Sequence, residues 1–303
     1  FYVFRLWRPG RAAAGRFYVG DSECQWLMDL AHRHADAGPL ADKRRFFHAC
    51  RELDLPTVPI LAEVGRAGRI ETLASASLPP RGDVFVKPPD RSCGLGAQRW
   101  RHGDGPGGDR WQRGGAALPW DALLAHVARE AGPGRLILQP GLANHPGVAG
   151  FSRGGLCTLR VVSCLGPDGE LAPLWTVWRM PAGEADVDNF AAGGLAAAVD
   201  ADGRLRPAVR KGDPVTHALH PDTGARIEGA TLPGFAALRD LALRAHHRIG
   251  FVGFVGWDVA LAADGPLLLE ANPTWSASLV QAACDVGLGE TPLPALLRRF
   301  EVA

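Results

Sequence analysis

Polar side chains interrupt two apolar runs near the carboxyl end of the chain, G-W-D-V-A-L and L-L-L-E-A-N. Because side chains alternate between the two faces of a strand, Glu270 and Asn272 are expected on the same face. Residues 263–266, between the runs, have turn chemistry and predict a hairpin with a three-residue loop centred on Asp264. That register places Asp258 opposite Glu270, with Cβ atoms about 4.5–5.5 Å apart.

This arrangement would bring two carboxylates and an amide oxygen together inside apolar strands. Without compensation of their charge, burial of such a group is strongly unfavourable. A hard divalent cation bound with nucleotide phosphates removes the penalty, and Mg²⁺ prefers oxygen ligands of this kind. The pattern therefore predicts a metal site at Asp258, Glu270 and Asn272. The alternative is that these residues lie at strand ends and contact solvent.

A second candidate site follows the short apolar run V-F-V that ends at Lys87. The next residues form a loop that contains Ser92, Gly94 and Gly96. Small residues let backbone N–H groups approach phosphate oxygens, and a lysine neutralises their charge. Only three of the 33 basic residues are lysines, which draws attention to Lys87. The alternative is a surface turn beside an extended lysine. A Walker A loop is excluded, because G-K-[ST] occurs nowhere in the sequence.

Three further polar residues fall within or beside strand-like segments. Gln139 follows the apolar run 136–138, and it could present its amide to an adenine edge or merely end the strand in a turn. Arg160 and Arg179 lie inside strand-like segments, and a buried arginine needs an anion. Either a carboxylate partner or a phosphate would satisfy that need.

The elements that would position these residues are predicted from the spacing of apolar residues. Helices are predicted over 42–53, 120–130 and 234–248, and strands over 84–86, 136–138, 158–162, 174–178, 255–261 and 267–272. The Gly- and Arg-rich segment 101–119 lacks periodicity and predicts an exposed loop. Helices and strands alternate without the rhythm of a βαβ barrel, which predicts an α+β fold with a boundary near 139–146.

The composition is that of an ordinary globular protein. The 303 residues are 47% hydrophobic and 21% charged, with a net charge of +1, which gives no reason to expect nucleic acid or an anionic membrane as partner. The longest apolar run, 251–263, is too short to span a bilayer, so no transmembrane helix is predicted. The six cysteines form no C-x-x-C pair, and reduced thiols in a cytoplasmic protein are the simpler expectation.

The order of the motifs resembles that of the ATP-grasp superfamily: D-K opening a helix, a strand ending in K-P, a Gly loop, a hinge strand, T-L-R, then D and E-x-N. The segments V-D-N-F-A-A-G-G and H-P-D-T-G-A-R-I-E-G-A-T-L-P, with V-G-W-D-V before E-A-N-P, are similar to the sugar-transfer-associated ATP-grasp family. That family occurs in bacterial polysaccharide gene clusters and is related to α-L-glutamate ligases. The resemblance covers residues 41 to 281, approximately.

The resemblance implies an α+β ATP-grasp fold in which two lobes hold ATP between them, with Mg²⁺ as the metal. Phosphate contacts are implied for Lys43, Lys87, Arg160 and the loop with Ser92, Gly94 and Gly96, adenine contacts for Gln139 and Leu142, and Mg²⁺ ligation for Asp258, Glu270 and Asn272. The division that follows is a reduced N-terminal lead-in over 1–38, a first lobe over 39–145 and a second lobe over 146–303.

Asp188 and Asn189, with Gly193 and Gly194, match a segment near the reacting end of the family's site. The polar segment 179–220 is interpreted as the acceptor side, with an ordinary connecting loop as the alternative. In this interpretation Arg179 orients a substrate carboxylate and Asn189 binds the phosphoryl group in transfer.

The resulting hypothesis is a cytoplasmic, Mg²⁺-requiring, ADP-forming carboxylate–amine ligase that acts through an acyl phosphate. Its substrates would be small-molecule or sugar-linked carboxylates and amines, in polysaccharide or cell-surface glycan modification. One alternative is a small-molecule kinase on the same fold. The other is a non-catalytic nucleotide-binding scaffold, against which the complete acidic set argues. The sequence does not indicate the oligomeric state.

Overall fold

The structure is a computed structural model that describes residues 17–40, 42–65, 69–72, 78–91, 96–105, 108–131 and 134–300. The chain divides into two compact units. The larger unit comprises Phe1–Leu40, Leu53–Pro56 and Ala143–Ala303, and the smaller unit comprises Ala41–Glu52 and Thr57–Leu142. Each unit combines an antiparallel sheet with helices, so the predicted α+β class is confirmed. The lobe boundaries given above stay a prediction.

The smaller unit contains a seven-stranded sheet in the order β2-β1-β7-β3-β4-β5-β6. Its strands are β1 (Ala62–Val64), β2 (Ile70–Thr72), β3 (Val84–Lys87), β4 (Gln98–Gly105), β5 (Gly108–Arg113), β6 (Ala116–Leu118) and β7 (Leu136–Pro140), and its helices are α2 (Lys43–Glu52) and α3 (Trp120–Ala131). Helix α3 buries Leu123, Val127 and Ala131, which recur every four residues on one face. These side chains join the core around Trp100 and Trp111.

The prediction of an exposed loop over 101–119 is wrong, because this segment forms β4, β5 and β6. Trp100 and Trp111 anchor these strands in the core, and the Trp111 indole donates to the carbonyl of Gly82 at 3.0 Å. Gly114 and Gly115, both with positive φ, make the two-residue turn between β5 and β6. Most of the other side chains in these strands reach solvent, and therefore the apolar alternation was too sparse to recognise.

The larger unit contains a six-stranded sheet in the order β11-β10-β9-β8-β12-β13. Its strands are β8 (Thr158–Leu165), β9 (Leu171–Met180), β10 (Leu195–Ala198), β11 (Val209–Arg210), β12 (Gly253–Ala262) and β13 (Gly265–Asn272), and its helices are α1 (Asp21–Ala31), α4 (Phe235–Ile249), α5 (Ala277–Cys284) and α6 (Leu293–Arg298). Every residue of β8 and β12 is buried. Polar side chains on these two strands therefore need partners within the protein.

Helices cover both faces of this sheet. Helix α4 buries Leu238, Leu241 and Ala245 against one face. The residue after its last turn, Gly250, has a φ of 70°, which is typical of a glycine that caps a helix. Helices α1, α5 and α6 cover an apolar part of the opposite face and form one core cluster with Phe254 of β12. The rest of that second face carries the charged residues described below.

The sequence-based expectations for the larger elements are confirmed. Helices α2, α3 and α4 lie where they are predicted, to within one residue at each end. None of the helices in the described part of the chain is long and apolar enough to cross a membrane. Five cysteines that the structure describes, Cys24, Cys50, Cys157, Cys164 and Cys284, are free thiols.

Candidate functional site

The hairpin of β12 and β13 pairs Asp258 directly with Glu270, as the sequence predicts. The predicted three-residue loop is wrong, however, because Ala262 pairs with Gly265 and leaves only two loop residues. The register then shifts by one residue next to Asp258, where Leu269 is an extra residue in β13. This β-bulge offsets the shorter loop, and the predicted pairing results.

Arg160 of β8 lies opposite Asp258 on the other side of β12. Its guanidinium group donates to both carboxylate oxygens, from Nε to Oδ1 at 2.5 Å and from Nη2 to Oδ2 at 3.1 Å. Both side chains are buried, with relative exposures of 6% and 2%. Of the two anions that could satisfy Arg160, the structure shows a carboxylate.

Gly256 gives the Arg160 side chain its space. A Cβ atom at position 256 would lie 3.1 Å from Cδ of Arg160 and 2.8 Å from Cβ of Trp275. Such distances are shorter than ordinary carbon contacts, so any larger residue would displace the guanidinium group. The glycine two residues before Asp258 therefore helps to shape the site, and it was not among the predicted site residues.

A second arginine reaches the same carboxylate from the next strand. Arg179 of β9 forms an ion pair with Asp258, in which Nη2 lies 2.9 Å from Oδ2. It donates hydrogen bonds to Oγ1 of Thr158 from Nε at 2.9 Å and from Nη2 at 2.6 Å. Its Nε also lies 3.4 Å from Oδ2 of Asp188. Burial opposes the charge of Arg179, but Asp188, Asp258 and Glu270 outweigh burial and hold its pKa above the usual range.

Thr158 and Asp188 complete this network. Asp188 belongs to the segment that the resemblance places near the reacting end, whereas Thr158 was not among the predicted site residues. The Thr158 hydroxyl donates to the Asp188 carboxylate, which is nearly buried. Burial raises the pKa of Asp188, and the charge of Asp258 adds to that effect, whereas Arg179 opposes it. Thr158 lies two residues before Arg160, so strand alternation could have placed it on this face.

The D-N-F-A-A-G-G motif forms the turn that precedes β10, and β10 pairs with β9 next to Arg179. The Asn189 side chain accepts a hydrogen bond from the backbone N–H of Ala191 at 3.0 Å and so caps a short 3₁₀ turn. Gly193 has a φ of 96°, and a Cβ at Gly194 would come within 3.0 Å of the carbonyl oxygen of Asp188. Both glycines are thus required by the turn. A role of Asn189 toward a phosphoryl group stays a prediction.

Segment 179–220, which is interpreted above as the acceptor side, contributes β10, all of whose residues are buried, and Phe190 to the core. Its acceptor role stays a prediction. His220 near its end is buried as well, and its Nε2 donates to the carbonyl of Pro181 at 3.0 Å.

Asn272 completes the predicted metal-binding group. Its Nδ2 lies 3.4 Å from Oδ2 of Asp258 and 3.4 Å from the carbonyl oxygen of Gly256. Burial alone would raise the pKa of Asp258, but the neighbouring Arg160 and Arg179 outweigh it and lower that pKa to about 2. The Asp258 carboxylate is therefore ionised at neutral pH.

The donor chemistry of this group fits Mg²⁺. Asp258, Glu270 and Asn272 share one face and supply carboxylate and amide oxygens. Asp188 adds a third carboxyl group next to the two arginines. No group of three or more His, Cys, Asp or Glu residues in the described ranges could hold a metal alone. Mg²⁺ usually takes one or two carboxylates together with substrate phosphates. The role of Asp258, Glu270 and Asn272 as its ligands stays a prediction.

In the smaller unit, both predicted phosphate lysines adjoin the segment that follows β3. Lys87 is the last residue of β3 and is half-buried. Lys43 begins α2, where its backbone N–H donates to the carbonyl of Pro89 at 2.9 Å and its Nζ donates to the carbonyl of Arg91 at 2.5 Å. The start of α2 is thereby fixed to the residues directly after Lys87.

The remaining predicted nucleotide contacts have different surroundings. Gly96 has a φ of 76°, and its position against Pro88 leaves little space for a side chain. Gln139 is buried, and its Nε2 donates to the carbonyl of Val58 at 3.3 Å. Leu142 is half-buried and ends the smaller unit. Ser92 and Gly94 lie outside the described residues. The roles of all these residues toward ATP stay predictions.

The structure thus divides the predicted site residues between the two units. The larger unit brings together Arg160, Arg179, Asp258, Glu270 and Asn272 on one sheet face, with Asn189 at the adjoining turn. The smaller unit holds Lys43, Lys87, Gly96, Gln139 and Leu142.

Three solved structures are similar to this chain. The D-alanine–D-alanine ligase from Bacillus anthracis complexed with ATP has a TM-score of 0.50 at 12% identity, over 88% of this chain and 67% of that one. The L-amino acid ligase from Bacillus licheniformis has a TM-score of 0.47 at 12% identity, over 86% of this chain and 48% of that one. The ADP complex of purK, N5-carboxyaminoimidazole ribonucleotide synthetase, has a TM-score of 0.44 at 14% identity, over 91% and 60%.

At 12% identity the likeness to the D-alanine–D-alanine ligase concerns the fold alone. The chain spans only about half to two thirds of the length of the three proteins. No curated protein matches the sequence. A family model described as "Sugar-transfer associated ATP-grasp" matches residues 120–293, more than half of the chain. The resemblance noted in the sequence is confirmed: the chain has the ATP-grasp fold and belongs to the sugar-transfer-associated ATP-grasp family.

Proposed function

We propose that this protein is an ADP-forming, Mg²⁺-requiring ligase that joins a carboxylate to an amine through an acyl phosphate. The observation that supports it best is the row Arg160–Asp258–Glu270 across three neighbouring strands, with Arg179 bound to the same Asp258. Such a row offers metal ligands and anion-binding guanidinium groups side by side. The family's association with sugar transfer favours sugar-linked substrates from a cell-surface glycan.

When bound, ATP supplies the phosphoryl group and Mg²⁺ neutralises the charge of its phosphates. The residues that would hold the metal are Asp258, Glu270 and Asn272. The residues that would hold the nucleotide are Lys43, Lys87, Ser92, Gly94, Gly96, Gln139 and Leu142.

The two arginines bind and orient anionic groups. Their planar guanidinium groups match the oxygens of a carboxylate or a phosphoryl group in pairs. Thr158 and Asp188 fix Arg179 from one side, so the group is oriented before substrate arrives. Burial of this network excludes water, which strengthens each ionic contact. The protein's contribution is therefore positioning and charge neutralisation.

Covalent catalysis by the nearest thiol is not part of this proposal. Cys157 directly precedes Thr158 and is completely buried. Burial raises the pKa of its thiol well above the usual range, and the nearby Asp188 raises it further. A protonated, inaccessible thiol is a poor nucleophile.

The test is formation of a hydroxamate. The full chain is incubated with ATP, Mg²⁺, hydroxylamine and a panel of amino acids, uronic acids and other carboxylates. A ligase should produce a hydroxamate and an equal amount of ADP with at least one carboxylate. The Arg179→Ala variant should lose this product yet still bind ATP, whereas Arg239→Ala, on the surface of α4, should keep it. AMP as coproduct, or a stable phosphate ester on a hydroxyl group, would contradict the proposal.

A further inference from the structure

The Asp258 carboxylate has four donors from the protein around it. Its Oδ1 accepts from Nε of Arg160, and its Oδ2 lies within 3.4 Å of Nη2 of Arg160, Nη2 of Arg179 and Nδ2 of Asn272. A carboxylate offers about four lone-pair positions, two on each oxygen. A cation that binds Oδ2 must therefore displace a donor, and a cation that binds Oδ1 lies beside the guanidinium charge of Arg160 and weakens that ion pair.

The same contacts show what the two arginines require. Their guanidinium groups converge on one carboxylate from neighbouring strands, β8 and β9, and both side chains are about nine-tenths buried. Buried cations that lose their anion are strongly destabilised. If Asp258 binds a metal instead, Arg160 and Arg179 need another oxyanion next to their guanidinium groups. A phosphoryl group satisfies them with the same paired geometry.

Asp188 explains how Arg179 could exchange its partner without losing its position. Nη2 contacts both Asp258, at 2.9 Å, and the Thr158 hydroxyl, at 2.6 Å, whereas Nε engages Thr158 and Asp188. Loss of the contact between Nη2 and Asp258 would therefore leave the guanidinium group fixed by Thr158 and Asp188. Gly256 likewise keeps space for the stem of Arg160.

We propose that Asp258 serves in turn as counter-ion of the Arg160–Arg179 pair and as metal ligand, so that metal binding releases both guanidinium groups to bind a phosphoryl oxyanion. The inference rests on the proposed function, which places Mg²⁺ and a phosphoryl donor at this face. In this inference the ligand of the two arginines is a tetrahedral phosphoryl oxyanion. Binding of that oxyanion depends on prior binding of the metal. The exchange makes and breaks only ionic contacts and hydrogen bonds.

The first experiment measures arginine reactivity in the wild-type protein. Modification by phenylglyoxal is followed by peptide mass spectrometry in EDTA and at a Mg²⁺ concentration that saturates binding in calorimetry, with no nucleotide or phosphate present. Mg²⁺ should accelerate modification of Arg160 and Arg179 several-fold and leave the control residue Arg239 unchanged. Unchanged or slower modification of Arg160 and Arg179, or no Mg²⁺ binding at all, would overturn the proposal.

The second experiment measures binding of inorganic phosphate in EDTA by calorimetry. Asp258→Asn should bind phosphate about tenfold more tightly than the wild type, because its neutral amide is a weaker partner for the arginines. Glu270→Gln makes the same change in charge one strand away, and it should improve binding by less than about threefold. Equal gains in both variants, or no gain in Asp258→Asn, would contradict the exchange.

The two proposals can fail separately. Neither experiment requires turnover, so the exchange can be demonstrated in a protein that forms no hydroxamate. Conversely, hydroxamate formation with unchanged arginine reactivity would support the ligase and reject the exchange. If Asp258→Asn does not fold, the labelling of the wild-type protein decides.

Discussion

Acid should destabilise the larger unit through His246, which is completely buried beneath the sheet. Its Nε2 lies 2.9 Å from the carbonyl oxygen of Phe251, which can only accept, so Nε2 carries the proton. Its Nδ1 then accepts from the hydroxyl of Ser163 at 2.7 Å, and that hydroxyl in turn accepts from the Trp257 indole at 3.1 Å. The chain of hydrogen bonds is complete only when His246 is neutral.

The size of the effect follows from the pKa. Burial lowers the pKa of His246 from 6.5 to about 4. Between these values the unfolded chain binds a proton that the folded protein does not, so the free energy of unfolding falls as the pH falls. The stability is complete above pH 6.5 and declines until about pH 4. The difference in pKa corresponds to about 3 kcal/mol.

The assay is urea denaturation followed by circular dichroism at pH values from 4 to 7.5, approximately the window in which histidine titrates. His246→Gln removes the titrating group and should lose less stability on acidification than the wild type, by about 3 kcal/mol. His247→Gln is the matched control, because His247 is the next residue of α4 and is exposed. His32, whose pKa burial also lowers to about 4, should account for a similar loss in both variants. If His246→Gln and the wild type decline in parallel, the buried hydrogen-bond chain does not determine the acid sensitivity.

Three further outcomes are expected. Lys87→Ala should weaken ATP binding about tenfold, or about 1.4 kcal/mol, in calorimetry, and unchanged affinity in the folded variant would reject the phosphate role of Lys87. Glu270→Gln should keep the thermal unfolding midpoint within a few degrees yet abolish ADP formation, and normal turnover at low Mg²⁺ would move the metal site elsewhere. Gly256→Ala should destabilise the protein by about 1–3 kcal/mol in urea denaturation, because its Cβ meets Arg160 and Trp275. Gly150→Ala, where the nearest atom is 3.7 Å away, is the control and should differ little.

Local chemistry determined which parts of this fold could be predicted from the sequence. Alternation in β13 placed Glu270 and Asn272 on one face, as predicted. The pairing of Asp258 with Glu270 was predicted from a three-residue loop, and it is correct because the two-residue loop and the β-bulge offset each other. The β-bulge at Leu269 was not predictable, because it depends on how β13 fits its neighbours rather than on its own residues. The strands over 101–119 were missed because Trp100 and Trp111 anchor them across a Gly- and Arg-rich background.

Long-range pairing determined what the sequence could not show. Arg160 and Asp258 are 98 residues apart, and only the neighbouring positions of β8 and β12 in the sheet join them. The sequence left open whether the buried arginines bind a carboxylate or a phosphate. Thr158 and Asp188 likewise acquire their importance from contacts with Arg179, which no local pattern specifies. Side-chain identity indicated the chemistry, and the strand order determined the partners.

The two-residue loop and the bulge at Leu269 have a consequence for changes in the length of the chain. Trp257 contacts His246 of α4, so Asp258 and its partner Glu270 lie on the opposite face of the sheet. Deletion of Leu269 alone would remove the bulge and join Leu268 directly to Glu270, so that the register of the hairpin continues and Glu270 stays opposite Asp258. Insertion of one residue between Ala262 and Gly265, with Leu269 kept, would lengthen the loop to three residues and leave the pairs along the strands unchanged. Relatives of this chain can therefore lose the bulge or lengthen the loop while their acidic residues keep the same neighbours.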